Sequence, residues 1–280
     1  MIDTENDCLE TKLYENIKEK LNRTTGLSEL NAWRNSLKEM YITLNDSDIP
    51  KDAGVAIEYN IPQTSKRIDF LVSGYGKNGK GNVVIIELKL WERLTAIDGQ
   101  DAIVETYIGG ANRRVVHPCY QAWSYATLIQ DYNEYVQENE IGLFSCAYLH
   151  NYPRKENDPI DKEQYQDVMR ETPAFTYGQR ESLRQFIKKQ IVTGDKEDIL
   201  LKIEYGKIKP SKQLQDALAN MLKGNQEFIM LDEQKVVYEN ILDYSCRCQK
   251  DGKKRTIIVE GGPGTGKTVV AINLLAELTN

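Results

Sequence analysis

The chain predicts an α/β protein of more than one structural unit, and three features of the sequence carry that expectation. Three strand-like runs follow one another closely at 54–62, 66–75 and 82–91, with helical patterns on either side. A glycine-rich stretch, 261–266, stands between an apolar run and an amphipathic one. The length of 280 residues exceeds the usual size of a single domain. The expected division is an α/β domain over 1–155, a helical connector over 156–225, and the front of a second α/β unit over 226–280.

Residues 5–43 read as helix. Leu9, Leu13, Ile17 and Leu21 recur at helical spacing, and Trp33, Leu37 and Met40 mark a second helix. The three runs then follow, with Pro62 and "QTSK" between the first two and "GYGKNGKG" between the next two. Such short polar connections predict antiparallel hairpins. A helix over 117–136 opens with Pro118 in its first turn, and "GLFSCAYLHNY" (142–152) reads as a fourth strand. Loops fill 153–180. Helices return near 180–191 and 211–223, the second with Ser211 as its cap. The last unit has a helix from about 230, a strand "TIIVE" (256–260), the glycine-rich loop and a final helix.

Composition excludes several classes. A net charge of −6 argues against a strongly basic nucleic-acid coat, although a local basic cleft can sit on an acidic protein. The acidic start "MIDTENDCLE" has no apolar core, and no apolar run reaches membrane-spanning length, which predicts a cytoplasmic protein without membrane contact. The five scattered cysteines fit reduced thiols, and two histidines cannot build a histidine-rich metal site.

Gly261-Gly262-Pro263-Gly264-Thr265-Gly266-Lys267-Thr268 satisfies G-x-x-x-x-G-K-[ST] after an apolar run and before a helix, the context the phosphate-binding loop demands. Glycines let main-chain N–H groups curl around phosphate oxygens, and the helix aims its positive end at the anion. Lys267 would reach the terminal phosphates and Thr268 would ligate Mg²⁺. No acidic second strand, arginine finger or second motor lobe follows before Asn280, so ATP hydrolysis is not expected of this chain, and ATP belongs to a longer parent.

The run "NVVIIELKLW" (82–91) is as apolar as a buried strand, yet Glu87 and Lys89 share its face with Val83 and Ile85. Buried ions cost several kcal/mol each unless well paired, so an ordinary pair belongs at the rim. In "KRIDFL" Asp69 stands among apolar neighbours, and a hairpin brings it beside Glu87. Two adjacent carboxylates repel unless a cation intervenes. Mg²⁺ or Mn²⁺ would supply it, on oxygens of Asp69, Glu87 and the Leu88 carbonyl, with Lys89 orienting or deprotonating water or steadying developing charge. Arg113 and Arg114, between this strand and the next helix, are candidates for phosphate contacts. Gly74-Tyr-Gly76-Lys-Asn-Gly79 matches a dinucleotide fingerprint by letter but opens no helix, and reads as a turn. The basic clusters 184–190 and 247–255 read as solvated faces.

"RID…IELK" resembles the PD-(D/E)xK nuclease signature, with Asp69, Glu87 and Lys89 as its D…E-x-K and Ile68 in place of the proline. Gln121-Ala-Trp-Ser-Tyr125 resembles the Q-x-x-x-Y of RecB-type members. Its i, i+4 spacing puts Gln121 and Tyr125 on one helical face, toward bound phosphate or nucleic acid. The family's further acidic ligand would be Glu29, with Glu58 its rival. "MLDEQKVVYENIL" (230–242) resembles the segment ahead of the phosphate loop in superfamily 1 helicases, where a glutamine, here Gln234, reads adenine. Together these resemble a nuclease-like domain fused to the ATPase of the Schlafen-like, helicase-related family.

The resemblance implies a restriction-endonuclease-like mixed sheet flanked by helices, a helical connector and an incomplete RecA-like unit. It also implies a bacterial nuclease–helicase acting on DNA, with RNA open, in anti-phage defence, together with a second copy or a defence partner. Two rival expectations stand beside it: an inactive nuclease fold that grips nucleic acid for a motor, and an oligomerisation or docking module.

Overall fold

The computed structural model describes residues 27–62, 64, 66–210, 229–262 and 264–279, with side chains from Trp33 onward. The helices expected before residue 27 and at 211–223 lie outside these residues, as do Pro263 and the side chain of Glu29.

A five-stranded sheet forms the centre, in the order β1-β2-β3-β7-β8. Strands β1 (Gly54–Asn60), β2 (Arg67–Tyr75) and β3 (Gly81–Leu88) make the expected antiparallel meander, while β7 (Gly142–Leu149) and β8 (Ala174–Thr176) continue it in parallel. The β2–β3 turn needs a left-handed residue, supplied by Gly79 at φ +73°. A parallel return from β3 to β7 requires a long crossover. It runs through a small separate sheet of β4 (Thr95–Ala96), β5 (Ile103–Ile108) and β6 (Ala111–Val116), then helices α2 (Pro118–Tyr132) and α3 (Glu134–Glu138). His117 caps α2, its ring nitrogen accepting from the Cys119 N–H at 3.2 Å.

Side-chain alternation divides the core into two sides. Phe70, Val72, Val84, Ile86, Cys146 and Tyr148 pack with α1 (Leu27–Leu44) and α5 (Arg180–Gln190). Val83, Ile85 and Leu71 pack on the other face with Tyr125, Ala126 and Ile129 of α2 and with Ile199 and Ile203 of α6 (Ile199–Glu204). The result is a three-layer α/β arrangement with a mixed sheet between helices.

Two expectations need correction. The described part of the 156–225 stretch expected as a helical connector, with loops to 180, is built into the core: it carries helix α4 (Gln166–Glu171), β8 extends the sheet, Ile160 and Tyr165 join one core cluster, and Leu183, Ile187 and Ile191 another. Its helices are amphipathic, and the central sheet offers the apolar surface they must cover. The strand expected at 256–260 is absent, and Ile258 is 78% exposed. A strand needs a hydrogen-bonding neighbour, and among the described residues none lies beside this run.

The C-terminal unit consists of α7 (Asp232–Asp251) and α8 (Lys267–Thr279), joined by a small cluster of Met230, Tyr238 and Val270. Helix α7 rests on the N-terminal unit. Lys235 reaches Asp101 at 2.9 Å and Glu239 at 2.7 Å, Arg114 donates to Asn240 at 3.1 Å, and the Tyr120 hydroxyl donates to the Met230 carbonyl at 2.9 Å. Burial, and after it the hydrogen bond with Asp101, raises the Glu239 carboxyl from 4.5 to about 7 against the opposing pull of Lys235. A raised carboxyl stabilises the fold below its unfolded value, and that stability is lost as pH rises through the folded value. The stability of the wild type against heat should therefore fall between about pH 4.5 and pH 7, by on the order of 1–2 kcal/mol. Glu239→Gln should make the profile shallower; an unchanged slope would remove Glu239 as a source of it. Among the described residues no helix is long and apolar enough to cross a membrane.

Candidate functional site

The β2–β3 ladder ends at Phe70↔Ile86, and the two strands diverge beyond that pair. There the Asp69 side chain takes the place of a main-chain acceptor: its Oδ2 receives the Leu88 N–H at 2.8 Å. On the other side of β3 the ladder with β7 continues, and the Lys89 N–H donates to the Tyr148 carbonyl at 3.0 Å. Asp69, Glu87, Leu88 and Lys89 are thus fixed by the sheet at the edge of one pocket of about 370 Å³, which Gln121, Lys66 and Glu58 also line.

Glu87 is 2% exposed. Its Oε1 accepts from Lys89 Nζ at 2.6 Å, while its buried Oε2 has no hydrogen-bond partner. Burial, and then the neighbouring charge of Asp69, hold the Glu87 carboxyl well above the ordinary range in spite of Lys89. Burial pulls the Lys89 ammonium down, but the carboxylates of Glu87 and Asp69 outweigh it and leave the group raised, hence charged. Among the described residues no group of three or more His, Cys, Asp or Glu side chains is placed to hold a metal ion. The two carboxylates, with the orphaned Glu87 oxygen, are therefore the donors that could hold one, and a small hard ion bound through one or two carboxylates with water completing its shell suits that set. Glu58, the rival acidic ligand, sits at φ +52° and is paired with Arg67 at 2.7 Å.

Gln121 and Tyr125 do share a face of α2, with Gln121 Nε2 donating to the Tyr125 hydroxyl at 3.1 Å. Tyr125 itself is 2% exposed, so it is not a surface for nucleic acid. Its hydroxyl donates to Asp232 Oδ2 at 2.8 Å. Burial, followed by the charges of Glu87 and Asp232, raises its ionisation far above the usual range, so it remains a donor. Asp232, at φ +34° in the first turn of α7, also takes Lys66 Nζ at 2.8 Å, and Lys66 pairs with Glu233 as well. Nothing in the sequence near Asp232 or Lys66 announced this junction. Arg113 and Arg114 lie on β6 instead, both exposed and outside the pocket, with Arg114 turned to α7.

In the glycine-rich loop Gly264 and Gly266 take φ of +75° and +78°. Lys267 Nζ donates to the carbonyls of Gly261 (2.6 Å) and Gly262 (2.8 Å), and the Thr265 hydroxyl donates to the latter at 2.9 Å. Thr268 stands in the first turn of α8. Gln234 touches the same loop: its Nε2 donates to the Thr265 carbonyl at 3.0 Å and its Oε1 accepts from the Leu231 N–H at 3.0 Å. A Cβ on Gly266 would lie 2.3 Å from that Nε2, so only glycine admits the contact.

The family model Schlafen group 3, DNA/RNA helicase domain, matches residues 254–280. No curated protein and no solved structure matches the chain. Across the glycine-rich loop and α8, the chain is similar to a Schlafen helicase domain.

Proposed function

We propose that the chain is a divalent-metal-dependent nuclease that hydrolyses phosphodiester bonds, DNA before RNA, in a PD-(D/E)xK-type unit, and that its C-terminal part is the nucleotide-binding front of a RecA-like, Schlafen-type helicase domain acting in bacterial defence. The observation that carries the reading is the convergence of Asp69, Glu87, Lys89 and Gln121 on one pocket, with a buried Glu87 oxygen left without a partner.

Asp69 and Glu87 would hold Mg²⁺ or Mn²⁺, which when bound supplies an activated water and a counter-charge for the phosphate. The protein's own groups do the rest. Lys89, held by Glu87, presents its remaining N–H groups toward the attacked phosphate, where negative charge develops. Gln121, anchored through Tyr125, orients a phosphate oxygen or the incoming water. Water gives up a proton as its oxygen bonds to phosphorus, the bridging P–O bond breaks, and the leaving oxygen takes up a proton, so that one water is consumed for each bond cut. Gly261 to Thr268 and Gln234 would bind ATP.

Labelled linear, nicked and single-stranded DNA, and RNA, incubated with the protein and Mg²⁺ or Mn²⁺, test this reading. Cutting that stops with chelator is the expected result. The Glu87–Lys89 ion pair also favours a second reading, an inactive nuclease fold that only grips nucleic acid. That reading expects binding that survives Asp69→Ala and Glu87→Ala, with no cutting by the wild type.

A further inference from the structure

Between strand β3 and helix α2 the chain builds a hairpin, β5–β6, with a buried root and a bare tip. Ile103, Val104, Thr106 and Val116 are buried, whereas the residues from Tyr107 to Arg114 are exposed, Tyr107 at 51%. The root is seated in a core cluster that joins Val104 to Leu94, Cys119 and Leu149. The tip turns in two residues between Ile108 and Ala111, with Gly109 and Gly110 at φ of +61° and +84°.

A cation is fixed on that tip. The Arg93 guanidinium stands 4.7 Å from the centre of the Tyr107 ring. The fold sets its place: the buried Thr106 hydroxyl donates to the Arg93 carbonyl at 2.7 Å, and β4, which follows, pairs with β5 at Thr95↔Glu105. Arg113 lies across the ladder from Thr106, and its guanidinium reaches back to 3.8 Å from where a Cβ on Gly109 would stand. The hairpin also adjoins the two-carboxylate pocket. Lys89 and Leu90 line that pocket, and Lys89 Nζ sits 5.6 Å from the centre of the Trp91 ring. The four residues from Lys89 to Arg93 span at most about 14 Å.

We propose that the β5–β6 hairpin is a substrate arm, on which Tyr107 stacks an unpaired base while Arg93 and Arg113 hold the phosphates beside it, so that the pocket is fed a single strand. The inference rests on the nuclease reading proposed above and adds the element that selects the strand.

The chemistry of the tip selects this occupant. Arg93 covers one face of the Tyr107 ring and leaves the other open. Base–aromatic stacking is tolerant of sequence because every base has a π-face. Inside a duplex those faces are covered by neighbouring base pairs, so only an unpaired base can lie on the ring. The cations matter because the whole chain carries a charge of −6, and a polyanion approaches it only where basic groups are gathered. A tip with two large apolar side chains, Tyr107 and Ile108, between arginines suits a strand of bases and phosphates.

Fluorescence anisotropy of a labelled oligonucleotide, as single strand and as duplex, tests the arm on the whole protein. Chelator is present, so binding is read without cutting. Tyr107→Ala should weaken single-strand binding about tenfold and leave duplex binding within about twofold. Tyr107→Phe, which keeps the ring, should bind as the wild type does. Arg113→Gln should weaken single-strand binding and make its dependence on log salt shallower by about 0.7, the loss of one phosphate contact. Equal melting temperatures check that the exposed substitutions leave the fold intact. Unchanged single-strand affinity in Tyr107→Ala would overturn the arm. Equal loss on single strand and duplex would also overturn it, since the ring would then serve the backbone and not a base. A wild type that binds neither would do the same. The expected binding pattern without any cutting in Mg²⁺ or Mn²⁺ would support the arm and remove the nuclease reading.

Discussion

Glu87→Ala should lower metal-dependent cleavage by at least about a hundredfold, the scale on which loss of one group facing developing charge is felt. The physical case begins with cost. A carboxylate 2% exposed, in a strand whose neighbours are Ile85 and Ile86, has one oxygen on Lys89 and the other unpartnered. Desolvating such a pair costs several kcal/mol, and a pair kept for stability alone would be replaceable by apolar groups. The double variant Glu87→Leu with Lys89→Met should therefore unfold at a temperature equal to or above that of the wild type, by up to about 1–4 kcal/mol of added stability, while having no activity. Glu87→Ala alone should be less stable than the double variant, because it strands the Lys89 ammonium at a site only 16% exposed. A double variant that melts well below the wild type would mean that the charges serve the fold. An active Glu87→Ala would end the nuclease reading.

The first three strands of the central sheet were legible because their signals are local, whereas β8 falls in a stretch expected as loop. Apolar alternation at 67–75, the turn before 81 and the run 82–88 each lie within one segment, and the strands formed within a residue or two of expectation, though Trp91 lies beyond β3. The second sheet was not legible. Its β4 has two residues, and β6 reads Ala-Asn-Arg-Arg-Val-Val with four exposed positions, so no period-2 apolar pattern marks it. The failed strand at 256–260 is the converse case: Ile257, Ile258 and Val259 have every local preference for a strand, but strands are completed by partners distant in sequence. Helix α5 was expected near 180–191, while the sheet face on which it docks was not readable.

The site divides along the same line. Asp69, Glu87 and Lys89 stood on adjacent strands of a readable hairpin, so their meeting followed from register. Gln121 and Tyr125 followed from helical spacing. Asp232 and Lys66 are joined to that group across 107 and 166 positions respectively, Asp232 to Tyr125 and Lys66 to Asp232. Only packing of α7 against the N-terminal unit brings them there, and a single sequence holds no trace of that contact. Tyr125 changed role for this reason: the partner that covers its hydroxyl comes from the other unit.

Asp232→Ala should weaken both stability and catalysis, and Asp232→Asn should restore most of each. Asp232 Oδ2 is the acceptor for the buried Tyr125 hydroxyl and for Lys66, and Tyr125 in turn accepts from Gln121. Alanine leaves that hydroxyl without an acceptor, at about 1–3 kcal/mol, and frees the first turn of α7 from α2. Gln121 then loses its fixed orientation in the pocket, and cleavage should fall about tenfold, less than for Glu87→Ala because no group facing the phosphate is removed. Asparagine keeps an acceptor oxygen and tolerates the φ of +34° at this position. It forfeits only the charge opposite Lys66, which retains Glu233. Thermal unfolding, cleavage rate and amide exchange along α7 should rank wild type, Asn and Ala in that order. Faster exchange in Ala, with cleavage unaltered, would confine Asp232 to holding the units together. Identical behaviour of all three would sever the link from α7 to the two-carboxylate pocket.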